Sequence, residues 1–346
     1  MNKKVIVGMS GGVDSALSAY LLKQQGYEVE GIYLKLHDLI PNYHENNLAK
    51  IEKISKLLDI KCHVVDISDE FEKNVYDYFV GSYIKGITPN PCVICNAKIK
   101  FGLFYDIAKS YKADKVATGH YVKKDENSIY KAQDEGKDQS YFLALINKNV
   151  IKDIIFPLQD YEKNETKKLA YELGLIEDEN LYKDSQEICF VEGEYTDILQ
   201  KHIDINMDGK TYDTNQNEVG HHKGYMYYTI GKRRGFYVHG AHEPHYVVDI
   251  SPTDNSIIVG TKEDLKITKV KIENLNLLDD SLIDEFECDV KLRYRSKASR
   301  CKVKIENNNN ASITLIEPSF GVANGQIAVF YDGDRLLGGG VIVWRA

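Results

Sequence analysis

Residues 4–15 read KVIVGMSGGVDS, and the order of residue types in this stretch decides the fold that follows. Residues 4–9 are a short β-branched run with glycine at its end, which reads as a buried parallel strand. Ser10, Gly11 and Gly12 make a glycine-rich turn. Residues 14–25 (DSALSAYLLKQQ) then carry apolar residues at helical spacing, and Gly26 is a stop. Backbone amides at a helix N-terminus, with no side chains crowding them, form an anion site. A strand–helix turn capped by Asp14 or Ser15 is the plainer reading of the same residues. No Gly-Lys-Ser/Thr follows, so the loop is not a Walker A sequence.

Working outward, 28–34, 61–66 and 114–119 read as further strands, and 47–58, 70–85 and 97–110 as helices. Strands alternating with helices predict an α/β, doubly wound parallel sheet with helices on both faces. Ligands of such sheets bind beyond the carboxyl ends of the strands. The glycine turn and the segment ATGHY (117–121) both fall on that edge. The character changes after about residue 200. Short segments rich in turn residues occupy 208–260, and short alternating strands occupy 265–346, the pattern of a small all-β barrel or sandwich, of which a barrel is expected. The expected domains are 1–200, 201–262 and 263–346.

Composition narrows the function classes. With 43% hydrophobic and 28% charged residues over 346 positions, the chain has enough apolar material for a core and is not a disordered polymer. A net charge of −8 excludes nucleic-acid binding by bulk charge, so any RNA contact must use local basic patches. Two such patches exist. Residues 221–239 mix lysine and arginine with aromatics and contain no acid, which suits phosphate contact and base stacking. Residues 291–304 carry seven basic residues and no acid, and strand alternation would gather many of them on one face. The N-terminal lysines imitate a signal peptide, but the apolar run ends at Gly8. No run of about 18 apolar residues occurs. The expected location is the cytoplasm, with no membrane partner.

Six cysteines without an export signal do not read as a disulfide framework. Cys62, Cys288 and Cys301 sit in strand-like or core-like contexts and are expected to be structural. The other three stand apart. In TPNPCVICNAKIKF (88–101) two prolines hold the chain extended ahead of Cys92 and Cys95, and SQEICFV (185–191) places Cys189 after a polar turn.

SGGVDS resembles the PP-loop of ATP pyrophosphatases. GMSGGVDS, NPCxxCNxxIKF, ATGHY, KDQSYFL (137–143), SQEICF and YYTIGKRRG (227–235) occur in this order. That series resembles the tRNA-specific 2-thiouridylase family, MnmA, over nearly the whole chain.

The resemblance implies ATP-dependent exchange of a tRNA uridine C2 oxygen for sulfur at the wobble position. It assigns ATP contacts to Gly8, Met9, Ser10, Gly11, Gly12, Val13, Asp14, Ser15 and Gly119. Leu34, ending the second strand, lies where the adenine should be, and Asp14 would help hold Mg²⁺. Asn90, Pro91 and Cys92 match the segment that meets the target base. His120, Lys137, Asp138, Gln139, Arg293, Tyr294 and Gln326 match tRNA contacts. Cys189 matches the persulfide carrier and Cys95 the second catalytic cysteine, which releases the sulfur by forming a disulfide with the first. The implied partners are tRNAs for Lys, Glu and Gln, and a sulfur donor such as a cysteine desulfurase or a relay protein.

A form of this motif in the family has Asp where this chain has Cys92. CxxC plus a remote cysteine could hold a [4Fe-4S] cluster by three sites, with one iron open to carry sulfur. Both sulfur routes stay open at this level. The competing functions are a PP-loop synthetase acting on a small metabolite and a non-catalytic tRNA-binding module. The first leaves the three cysteines and both basic stretches without a job.

Overall fold

Strand β1 (Lys4–Gly8) pairs in parallel with β2 (Glu28–Lys35) on one side and β4 (Lys115–Ala117) on the other. The computed structural model describes residues 3–178, 188–240, 243–307 and 309–346. Strand β3 (Lys61–Asp66) extends the sheet beyond β2, and Ile154–Ile155 extends it beyond β4, giving five parallel strands. The α/β reading holds, and Ile154–Ile155 is an addition that two residues could not announce in sequence.

Alternation along β1 explains why both faces are covered. Val5 and Val7 pack with Ala16, Leu17 and Leu22 of helix α1 (Val13–Gln24) and with Ile51 and Ile54 of helix α2 (Tyr43–Leu58). Ile6, between them, packs on the opposite face with Ile32, Phe104, Ala108 and Val116. A period of two puts successive side chains on opposite faces, so one apolar run serves two layers.

The chain divides by packing into two units. One is Met1–Val75, Cys92–Phe190 and Asp334–Leu336; the other is Tyr76–Pro91, Val191–Gly333 and Leu337–Ala346. Residues 76–91 join the second unit through particular contacts. The Tyr83 ring stacks on Tyr195 with centroids 4.5 Å apart, and the Tyr225 hydroxyl donates to the Ile84 carbonyl at 2.6 Å.

The second unit holds two β structures. A five-stranded sheet runs Phe236–Val238, Glu218–His222, Gly209–Tyr212, Ser256–Gly260, Tyr246–Ser251. The strands from Lys266 to Arg345 form the barrel, which closes because Lys266–Leu277 pairs with both Asn310–Phe320 and Arg335–Arg345. Cys288 and Cys301 are opposite one another across two barrel strands, fully buried, with sulfurs 3.7 Å apart and unbonded.

Gly338 shows how tightly the closure is drawn. Its φ is +129°, and an added Cβ would lie 2.0 Å from the Asn276 carbonyl oxygen. Gly338→Ala is therefore expected to cost about 3 kcal/mol through backbone strain and displaced pairing. Urea unfolding checks this. An unchanged midpoint would mean that the strand pair relaxes freely.

The basic stretch 291–304 is not one strand. Glu285–Lys291 and Ser299–Asn307 are separate strands with a turn between them. Within that turn the Arg293 amide donates to Ser296 Oγ at 3.2 Å. Cross-strand register then sets bases against acids: Lys302 lies 2.7 Å from Glu285, and Arg300 lies 3.5 Å from Glu287. The expected single phosphate-facing row is thus split between a turn and a face of ion pairs.

The aromatics of 221–239 are also largely spent on packing. Tyr225, Tyr227 and Tyr228 are buried, while Lys232, Arg233, Arg234 and Tyr237 are exposed. Phosphate contact suits that exposed set, and base stacking by the three buried tyrosines does not.

Candidate active site

The phosphate loop runs from Met9 to Gly12, between β1 and α1. The Met9 amide donates to the Ile32 carbonyl at 2.8 Å, which fastens the loop to β2. Gly11 adopts φ +78°, the left-handed region that favours glycine. Its missing Cβ also admits Asn47, whose carbonyl oxygen would otherwise be 3.2 Å away. Two serines brace the turn. The Ser15 hydroxyl donates to the Gly12 carbonyl at 2.9 Å and accepts from the Ser10 amide at 3.2 Å.

Asp14 does not cap the helix. Its carboxylate accepts from Lys163 Nζ at 2.6 and 2.7 Å and from the Tyr121 hydroxyl at 2.8 Å. Burial, then the Asp14 charge, pushes the Tyr121 phenol well up, so it stays a donor. Sequence reading missed Lys163. It opens the helix Lys163–Glu172 in a stretch (LQDYEKNETKK) that looks like an ordinary polar helix start.

Three successive residues of ATGHY serve three purposes. Gly119 lies against Asp14, where a Cβ would fall 2.8 Å from the Asp14 carbonyl carbon. Tyr121 bonds Asp14, as above. His120 is buried between Phe101 and Phe156, with Nδ1 2.8 Å from Thr118 Oγ1 and Nε2 3.5 Å from Lys100 Nζ. Burial, then the Lys100 charge, holds His120 well below the usual histidine range. A neutral ring can accept from Lys100 through Nε2. The outward RNA contact expected of His120 is not what this placement offers.

The cysteines meet around the same lysine. Pro91–Cys95 is a helical turn, not the extended segment expected from the two prolines; proline fits the first helical position because its missing N–H is not needed there. Cys92 and Cys95, three residues apart, consequently share a helix face. A wide π-type segment, Asn96–Leu103, follows and carries Lys100. Cys92 is half-buried, Cys95 buried and Cys189 exposed. Phe190 next to Cys189 is buried against Phe71 and His37, which anchors Cys189 at its C-terminal side. Ser185–Glu187 of the SQEICF motif lie outside the described residues.

Burial pushes the Cys92 thiol up to about 11 and the Cys95 thiol up to about 12. Desolvation raises Cys189 too, although the residue is exposed at the surface. Lys100 opposes the rise at all three, and the charge of a Cys189 thiolate adds to the rise at the other two. The three sulfurs thus lie within electrostatic reach of one cation.

Lys100→Met is expected to make each thiolate scarcer, because the cation that favours the charged form is gone. The pH profile of iodoacetamide labelling, read at Cys189 by mass spectrometry, should move to higher pH. An unmoved profile would remove Lys100 from this role.

The remaining candidates divide plainly. Leu34 is half-buried beside the Ile6–Val116 core, at the end of β2. Asp138 is buried and accepts from the Ala132 and Ser140 amides, each at 3.0 Å, so its carboxylate organises a loop instead of facing RNA. Gln139 pairs with the backbone of Tyr121, while Lys137 is half-buried on the same loop. In the second unit, Gln326 Nε2 donates to the Thr88 and Pro89 carbonyls, each at 3.1 Å, directly before Asn90 and Pro91. Arg293 donates to the Ile230 carbonyl at 2.9 Å, bracing the GKRR turn, and Tyr294 lies beneath Lys291.

Among the described residues, no group of three or more His, Cys, Asp or Glu is arranged to hold a metal ion.

A parallel sheet with a glycine loop at β1, an acid in the first turn of α1, and three thiols around one lysine on the same unit define an ATP-using enzyme of the PP-loop class. Profile comparison matches residues 3–193 to a tRNA methyl transferase HUP domain, 196–261 to a tRNA methyl transferase PRC-barrel domain and 267–342 to an aminomethyltransferase β-barrel domain. Relatives named tRNA-specific 2-thiouridylase MnmA are similar throughout. The chain is 51% identical to one from Aliarcobacter butzleri, covering 97% of each chain. It is 52% identical to that of Sulfurimonas denitrificans, covering 99% of each, and 49% identical to one from Campylobacter jejuni, covering 98% of this chain and 99% of the relative. This chain belongs to the tRNA-specific 2-thiouridylase family, MnmA. Among solved structures, the U34-tRNA thiolase NcsA from Methanococcus maripaludis with its [4Fe-4S] cluster is 21% identical over 58% of this chain and 65% of that one, with a TM-score of 0.38, too slight a likeness to transfer its cluster.

Proposed function

We propose that this enzyme uses ATP to replace the C2 oxygen of uridine 34 in tRNA with sulfur, giving 2-thiouridine. The observation that carries the reading is the ATGHY segment, which touches both halves of the chemistry. Gly119 and Tyr121 hold Asp14 at the phosphate loop, and His120 meets Lys100, the cation shared by the cysteines.

The C2 carbonyl of uridine is a poor electrophile with no leaving group. Transfer of AMP to its oxygen, with loss of pyrophosphate, supplies one. The loop amides and the N-terminus of α1 hold the phosphates, and Leu34 borders the adenine. Asp14 offers hard oxygen donors, which fit Mg²⁺; when bound, the ion neutralises charge on the pyrophosphate.

Sulfur follows the persulfide route. Exposed Cys189 can receive sulfur from a donor protein, a desulfurase or a relay, as its terminal persulfide sulfur. The Cys95 thiolate attacks Cys189 Sγ, and the S–S bond breaks to release hydrosulfide. Hydrosulfide adds to C2 and AMP departs, leaving the thiocarbonyl and a Cys95–Cys189 disulfide. An outside thiol reductant restores both cysteines. Asn90, Pro91 and Cys92 meet the base. Lys137, Arg293, Tyr294 and the exposed Lys232–Arg234 meet tRNAs for Lys, Glu and Gln. Residues 1–200 carry the chemistry, 201–262 and 263–346 the RNA contacts. Among the described residues, no helix is long and apolar enough to cross a membrane.

The test is an anaerobic assay with ATP, unmodified tRNA and a desulfurase with cysteine, followed by nucleoside mass spectrometry. 2-Thiouridine at position 34 with stoichiometric pyrophosphate is expected. Pyrophosphate release driven by a small metabolite and indifferent to tRNA would overturn the proposal.

A further inference from the structure

We propose that Lys163 is a polyphosphate-binding residue that leaves Asp14 for the β- and γ-phosphates of ATP. The inference rests on the ATP-dependent reading above and adds a residue to its binding machinery. Lys163 is the more enclosed partner of the pair, with 11% side-chain exposure against 31% for Asp14. Its ammonium lies within hydrogen-bond distance of both carboxylate oxygens and over the Tyr121 ring, 5.3 Å from the centroid.

The position of the ammonium is set from behind. The Lys163 amide donates to Asp134 at 3.1 Å, and a Glu162–Glu165 capping box fixes the start of its helix. Asp14 stands in the first turn of α1, directly after the loop amides.

Charge balance supplies the rest. A polyphosphate entering the loop brings several negative charges beside the Asp14 carboxylate. That approach is repulsive unless cations stand between the two groups. Lys163 is already at that place. Asp14 retains the Tyr121 hydroxyl on Oδ1 and has lone pairs left for a divalent cation. The lysine ammonium can then turn to phosphate oxygens, with which it forms short, charge-assisted bonds. One salt bridge thus holds the empty loop neutral and supplies a cation for the occupied one.

The experiment is calorimetric titration of the full chain with Mg²⁺–pyrophosphate, Mg²⁺–ATP and adenosine, comparing wild type, K163M and K163R. Weaker pyrophosphate binding in K163M, by about tenfold or more, is expected, with adenosine affinity unchanged and partial retention in K163R. Equal pyrophosphate affinity in wild type and K163M overturns the proposal. So does a parallel loss of adenosine binding, which marks a purely structural lysine. Failure of the wild type to bind Mg²⁺–ATP at all would instead strike the ATP-dependent reading. If K163M does not fold, K163Q keeps a hydrogen bond to Asp14 without the charge and carries the same two outcomes.

Discussion

Replacing Cys95 or Cys189 with alanine is expected to lower tRNA thiolation by about a thousandfold or more, since each removes a sulfur that makes or breaks a bond. The two variants should fail at different steps. Cys189 is exposed and is the sulfur acceptor on the proposed route, so C189A should take up no labelled sulfur from a desulfurase. Cys95 is buried, with its thiol pushed up to about 12, so it must lose its proton before it attacks. C95A should therefore load sulfur and stall as a persulfide visible by mass spectrometry. Pyrophosphate release with tRNA should persist in both, because adenylation precedes the sulfur steps on the proposed route. Thiolation by C95A at the wild-type rate would end the disulfide route.

Gly119→Ala is expected to cut pyrophosphate formation by about a hundredfold while leaving tRNA affinity intact. The new methyl would lie 2.8 Å from the Asp14 carbonyl carbon, 2.9 Å from its Cβ and 3.0 Å from its oxygen. Two of those three atoms are backbone, so the collision cannot be relieved by turning a side chain. The first turn of α1 must move, and with it the loop amides and the Asp14–Lys163 contact. A displacement of about 1 Å in a positioning element is enough for a loss of that order. Steady-state pyrophosphate release checks it; a rate within about threefold of wild type would mean that the loop tolerates the shift.

Much of the first unit was legible because its signals are local. A β-branched run, two glycines and an amphipathic stretch lie consecutively in 4–25, and the structure places β1 and α1 there. The cysteine segment was legible by residue type but not by shape. Pro91 starts a helical turn because proline suits the first helical position, and nothing in PNPCVIC alone chooses between that and an extended chain. The basic stretches misled for a different reason. A count of charges does not reveal the acids opposite, and Glu285 and Glu287 reach Lys302 and Arg300 only through strand register. In 221–239, the same tyrosines that suit base stacking also suit a core, and burial decided for the core.

By itself, the sequence determined the parallel α/β sheet and the glycine loop that joins β1 to α1. Each depends on residues close together in the chain, where steric preference and periodicity act directly. Only the tertiary structure decided that Lys163 meets Asp14 across 149 positions, that His120 turns inward to Lys100, and that Gln326 holds the carbonyls before Asn90. Those pairings carry no local signature. They exist because burying a charge or a donor is costly until a partner is supplied, and the fold alone brings the partner into reach.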